Sequence, residues 1–316
     1  MFGFLHFDKP AGWTSRDVVN RVQSRVRPVK VGHAGTLDPL ATGVLVVALG
    51  PATRLVDQVQ RLEKTYVATF LLGRESDTED ITGQVQELVD PPVASEAALH
   101  AVLPQFLGTI QQVPPAFSAL KVRGQRAYQL ARRGQSLDLA PRPVQIHALR
   151  VLEYVYPRLS LEIVCGSGTY VRSLGRDLAR ALGTGAVMSA LQRTAIGPFQ
   201  LRDALSPAIL DTEDWRQHVQ GPLAALPHLP RWIVTPADER RLRQGQTIDA
   251  AAYEARTPAD PVTIGLVAGI SLAGDAVACA ERAAVSATGE LVALVSPRGA
   301  GAWGPFLGFP ERGEPA

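Results

Sequence analysis

Apolar residues recur along the first two hundred positions in two rhythms. Residues 2–7 alternate weakly and predict a strand. Val18, Val19, Val22 and Val26 share one face of a helix that Ser15 can cap and that ends near Arg27. Val44 to Leu49 is an unbroken apolar run of strand length, the pattern of a buried strand. Lys64–Leu72, Gln84–Val89, 144–155, 159–165 and Ala186–Gln192 read as further strands. Helices are expected over Glu96–Phe106 and, short and basic, over Gln125–Arg133, where Gly134 ends it. The segment GSGTYVRSLGRDLARALG, residues 166–183, passes from strand to helix. Residues 32–43, rich in Gly, Thr and Pro, and the acidic DTEDITG, residues 77–83, read as loops.

From Arg231 onward the texture changes. Short Val- and Ala-rich segments with Gly turns (TIGLVAGISL, DAVACAER, GELVALVSP) predict a small β-rich unit, and HVQGPLAALPHLP before it suits a linker. This divides the chain into residues 1–225, an α+β unit with a mixed sheet, residues 226–312, a small β unit, and a disordered tail at 313–316.

Composition is that of a globular protein: 46% hydrophobic and 20% charged over 316 residues, with net charge +2. MFGFLHFDKP has no basic region or long apolar run, so it is not expected to be a signal peptide, and no segment reads as a membrane span. Cys165 and Cys279 are too few and too far apart for a disulfide scaffold; the cytoplasm is the expected compartment. Charge is uneven. Lys121, Arg123, Arg126, Arg132, Arg133 and Arg142 face Asp138 alone across 121–145, which suits phosphate contact; Glu75, Asp77, Glu79 and Asp80 have no base among them.

Several chemistries are absent from the pattern. There is no P-loop, HExxH or CxxC, and the six histidines are scattered, so no metal site is expected. Gly166-Ser167-Gly168 resembles the start of a dinucleotide fingerprint, but Val171 stands where the third glycine belongs. Within residues 31–50 only His33 and Asp38 are ionisable. Asp38 reads either as an Asp-Pro turn or as a carboxylate in an apolar site that needs a cation to offset its burial.

Longer motifs choose between these readings. GHAGTLDPLATGVLVVALGPATRL, KTYVATFLLGRESDTEDITG, PPAFSALKVRGQRAYQLARRG and SGTYVRSLGRDL, with a weaker fifth in ALQRTAIG, resemble in order the motifs of the TruB family of tRNA pseudouridine synthases. DERRLRQGQTI and GELVALVSPRG resemble a PUA-like RNA-binding module. The resemblance implies a pseudouridine synthase fold with a mixed, largely antiparallel sheet flanked by helices, plus a small PUA-like β-barrel. It implies isomerisation of uridine 55 in the tRNA T-loop to pseudouridine on a flipped-out base, by a monomer that takes the T-arm stem-loop as partner and needs neither cofactor nor metal.

It also implies roles. Asp38 is the nucleophile, at C1′ of the ribose or C6 of the base. Arg172 is its ion-pair partner. Tyr66 stacks on the uracil and helps remove the C5 proton. Tyr170 and Leu191 line the pocket, and His33 fills the gap left by the extruded base. Lys64 and Asp80 play supporting parts, and Lys121, Arg123, Arg126, Arg132 and Arg133 meet RNA. Residues two apart on a helix point about 200° apart, so Tyr170 and Arg172 share a pocket only if the helix starts after Tyr170. An inert RNA-binding protein on the same scaffold, a relative acting on another RNA and a nucleotide-dependent enzyme built on the GSG turn are the rival readings.

Overall fold

The structure, a computed structural model, describes residues 1–118, 120–122, 125–131, 133, 139–254, 281–299 and 301–310. Its strands in chain order are β1 (Gly3–Lys9), β2 (Val31–Ala34), β3 (Thr42–Leu49), β4 (Lys64–Leu72), β5 (Arg74–Glu75), β6 (Gln86–Glu87), β7 (Gly108–Gln112), β8 (Lys121–Val122), β9 (Gln125–Arg126), β10 (Arg142–Val155), β11 (Arg158–Cys165), β12 (Ala186–Ile196) and β13 (Phe199–Gln200). The main sheet runs β1-β3-β12-β4-β11-β10-β7, with β2 on β3 and β13 on β12. Its pairings are antiparallel except β3 with β12. Helices α1 (Ser15–Val26), α2 (Val56–Arg61), α3 (Glu96–Val102), α4 (Ala127–Ala131) and α5 (Val171–Ala181) flank it.

The apolar rhythms set these elements. Val44 to Leu49 are wholly buried. Strand β4 alternates buried and half-buried, so Lys64, Tyr66, Ala68, Phe70 and Leu72 share its inner face. Helix α5 lies on that face. Gly175 lets it settle there, since a Cβ at this position would stand 2.1 Å from the Phe70 ring.

The boundaries differ from the sequence reading in instructive places. Thr14, not Ser15, caps α1, in a capping box with Asp17. Helix α3 tightens into a 3-10 turn over Leu103–Phe106, where Pro104 removes a donor. The basic segment begins with the β8–β9 ribbon, and among the described residues its helix covers Ala127–Ala131. The strand expected at Gln84–Val89 shrinks to β6, paired with β5. Part of the expected loop 32–43 is β2, because Val31–Ala34 pair with Val46–Leu49 of β3.

A second sheet is ordered β14 (Arg231–Ile233), β16 (Arg282–Val285), β17 (Leu291–Gly299), β18 (Ala302–Gly308) and β15 (Ile248–Asp249). The segment before it is no loose linker. Leu226 and Leu229 are buried, and Gln220 exchanges two 2.8 Å backbone hydrogen bonds with Phe4 of β1. Ala283, Leu291 and Phe309 share one apolar cluster with Phe4, Val44 and Leu55, so the two sheets meet across a common core. Cys279, the TIGLVAGISL segment and the tail 313–316 lie outside the described residues. Among the described residues no helix is long and apolar enough to cross a membrane.

Candidate active site

Asp38 is presented at a split in the sheet. On one side of β3, β2 pairs with Val46–Leu49 and β12 pairs with Thr42 and Gly43. The chain from Gly35 to Ala41 emerges between those two neighbours. Gly43 makes the junction possible: its φ is +99°, and a Cβ there would lie 2.2 Å from the Arg193 carbonyl oxygen.

The Asp38 loop is tied from three directions. Arg193, buried on β12, donates from Nε to the Val44 carbonyl at 2.8 Å and from Nη2 to the Gly35 carbonyl at 3.1 Å. The Ser15 hydroxyl, freed from capping duty, donates to the Leu37 carbonyl and accepts from the Leu37 amide at 2.9 Å. The Gly12 amide donates to the Pro39 carbonyl at 2.8 Å. A carboxylate on so constrained a loop keeps its aim.

Arg172 meets it. Its Nη2 lies 3.0 Å from Asp38 Oδ2, and its Nη1 lies 3.3 Å from Asp80 Oδ2. The same guanidinium donates to the Thr78 carbonyl at 2.8 Å and the Phe117 carbonyl at 3.0 Å. The Arg172 side chain is 8% exposed and Asp38 42%, so the pair has a buried cation and a carboxylate open to the cleft. The closed apolar site weighed from sequence is thus half open at Asp38. Asp80 is almost wholly buried; its Oδ1 accepts from Thr78 Oγ1 and from the Thr82 amide and hydroxyl. The acidic loop that read as unpaired charge is stapled to α5, since Glu79 also pairs with Arg176 and accepts from Ser173 Oγ.

Tyr66, Tyr170 and Leu191 line one cleft with Asp38 and Arg172. Helix α5 begins at Val171, and Tyr170 before it is extended, with φ −100° and ψ 110°. The Gln112 side-chain amide holds it so, accepting from the Tyr170 amide at 2.8 Å and donating to its carbonyl at 3.1 Å. The Arg142 guanidinium lies over the Tyr170 ring, 4.6 Å from its centroid. Burial pushes the Tyr66 phenol above its ordinary value of 10, an effect opposed by the nearby Arg193 cation, so Tyr66 is neutral at physiological pH.

The other expected residues are placed less centrally. Lys64 shares the inner face of β4 but does not line the cleft: its Nζ donates to the Gln60 carbonyl, and burial lowers its pKa to about 8. His33 sits on β2, its Nδ1 buried without a partner among the described residues, and burial lowers its pKa, assisted by Arg16 and Arg193. Arg133 is exposed after α4. The backbones of Lys121 and Arg126 pair across the β8–β9 ribbon. Arg123 and Arg132 lie outside the described residues.

Sequence reasoning passed over Arg193, Gln112 and Ser118, and counted Arg142 only within the basic strip. Arg193 had a signal: it falls in phase with Leu191 and Ala195, which puts a cation on the inward side of a strand. Ser118 lines the cleft, is 4% exposed, and its Oγ has no hydrogen-bond partner among the described residues. Leaving a buried hydroxyl unpaired costs about 1–3 kcal/mol.

One pH effect follows from the buried imidazoles. Burial lowers the pKa of His6, His33 and His228 below 6.5. Between the folded values and 6.5 the unfolded chain binds more protons, so stability rises with pH there. The contribution is complete above 6.5 and is lost as pH falls through the folded values. Urea midpoints measured from pH 7 to 5.5 should fall, and His33→Asn should shrink the fall.

The profile of the TruB family pseudouridylate synthase N-terminal domain matches residues 23–171, and that of the tRNA pseudouridylate synthase B C-terminal domain matches 172–239. Proteins named tRNA pseudouridine synthase B are similar along much of the chain. That of Thermobifida fusca is 46% identical over 259 residues, 79% of this chain and 88% of its own. That of Rhodopirellula baltica is 36% identical over 330 aligned positions, 98% of this chain and 94% of its own. Among solved structures, an H/ACA RNP bound to a substrate RNA containing 2′-deoxyuridine superposes with a TM-score of 0.65 at 27% identity, over 93% of this chain and 78% of that one. With its mixed sheet, its second, curled sheet and its carboxylate–arginine–tyrosine cleft, the chain belongs to the TruB family of pseudouridine synthases.

Proposed function

We propose that this chain converts the T-loop uridine of tRNA, position 55, to pseudouridine, with Asp38 as nucleophile. The observation that carries the residue roles is the Asp38–Arg172 pair at 3.0 Å in one cleft with Tyr66. The reaction is an isomerisation. The Asp38 carboxylate bonds to C1′ or C6 of the flipped nucleoside, the C1′–N1 bond breaks, the uracil turns, C5 bonds to C1′, and Asp38 leaves. The C5 proton departs with help from the Tyr66 hydroxyl and the freed N1 takes up a proton, so the formula is unchanged; the Tyr66 ring also stacks on the uracil. Tyr170 and Leu191 wall the base, Arg172 holds the charge of Asp38 in place, and Asp80 holds Arg172. His33 fills the space the base vacates. Atoms and electrons balance within the substrate, so the chemistry calls for no external oxidant or reductant.

In this reading the chain divides near residue 225, the second sheet is a PUA-like RNA-binding module, and the protein works as a cytoplasmic monomer on the T-arm. The basic strip of Lys121, Arg123, Arg126, Arg132 and Arg133 contacts phosphates, which makes binding weaken as salt rises. The test is to treat an unmodified tRNA transcript with the protein and map pseudouridine. Product at the T-loop uridine is expected; product only elsewhere, or none, overturns the substrate assignment.

A further inference from the structure

We infer that Ser118 is a substrate-contacting residue whose hydroxyl is left unpaired in the free protein and is paired by the flipped nucleoside. This rests on the proposed uridine chemistry of the cleft. Three observations converge. Ser118 lines the cleft with Asp38, Tyr66 and Arg172. Its Oγ is shielded from water yet has no partner among the described residues. And its position is fixed, because the preceding carbonyl, that of Phe117, accepts from Arg172 Nη2, the same nitrogen that meets Asp38. Rotation about the Cα–Cβ bond gives the hydroxyl a choice of staggered positions on the cleft wall.

The chemistry of the ligand suits it. A nucleoside extruded from its loop loses its hydrogen-bonding and stacking partners and presents carbonyl oxygens, an N–H and ribose hydroxyls at once. A serine hydroxyl both donates and accepts, so it can pair with any of these. Two other buried serines, Ser15 and Ser173, each have a hydrogen-bond partner in the fold. Ser118, on the cleft wall, has none among the described residues.

The experiment compares wild type, Ser118→Ala and Ser118→Cys on a tRNA transcript, with melting temperature measured on each free protein. Ser118→Ala is expected to lower kcat/KM about tenfold, the effect of one lost hydrogen bond, while the melting temperature stays level or rises. A residue serving only the fold would lose both together. Ser118→Cys replaces the hydroxyl by a somewhat larger thiol that donates weakly, so it should stay impaired. Unchanged kcat/KM in Ser118→Ala, a fall in its melting temperature, or full recovery in Ser118→Cys would each overturn the inference. An inactive wild type would instead overturn the reading of the cleft, and the two failures are distinct.

Discussion

Asp38→Asn should lower single-turnover pseudouridine formation by about 10⁴-fold or more, the scale seen when an enzyme loses its nucleophile. The substitution preserves shape and leaves an amide oxygen facing Arg172, so the fold has little reason to change. Arg172 keeps Asp80, the Thr78 carbonyl and the Phe117 carbonyl as partners. What disappears is the anion, and an amide oxygen does not form the covalent bond. Affinity for tRNA, dominated by phosphate contacts, should stay within a few-fold of wild type. Measured by pseudouridine mapping and filter binding, retained turnover would remove Asp38 from the role assigned to it.

Arg172→Met should damage both activity and stability. The guanidinium serves four acceptors and is 8% exposed. Removing one member of a buried pair costs about 3–5 kcal/mol; with Asp38 partly in water, a loss of about 2–4 kcal/mol is expected here, mostly through Asp80 and the two carbonyls. Turnover should fall by about a hundredfold or more, because the charge that steadies Asp38 is gone. Arg172→Lys restores a cation but not the fork that spans four acceptors, so it should recover part of the stability and little of the rate. Denaturant midpoints and single-turnover rates on the same three proteins check this; wild-type turnover in Arg172→Met would end the ion-pair account.

The elements themselves were legible where one physical signal dominated. The apolar run at Val44 and the strict alternation of β4 specify buried strands without help from elsewhere. Residues that act through long-range pairing were not. Val31–Ala34 is a strand only because β3 is beside it. Gln112 is a polar residue at a strand end, and nothing local says that its amide will clasp Tyr170, 58 positions away. The acidic loop could be read as charge but not as the brace of Arg172. Asp38 stood out only because long motifs surrounded it; by itself it is one aspartate before a proline.

The cap of α1 has a mechanical consequence. Because Thr14 closes the helix end, Ser15 is free to grip both polar groups of Leu37, one residue before Asp38. The helix and the Asp38 loop are therefore coupled as lever and tip. Val18, Val22 and Val26 pin α1 to the core, so the packing of this helix backs the grip that Ser15 has on the Asp38 loop.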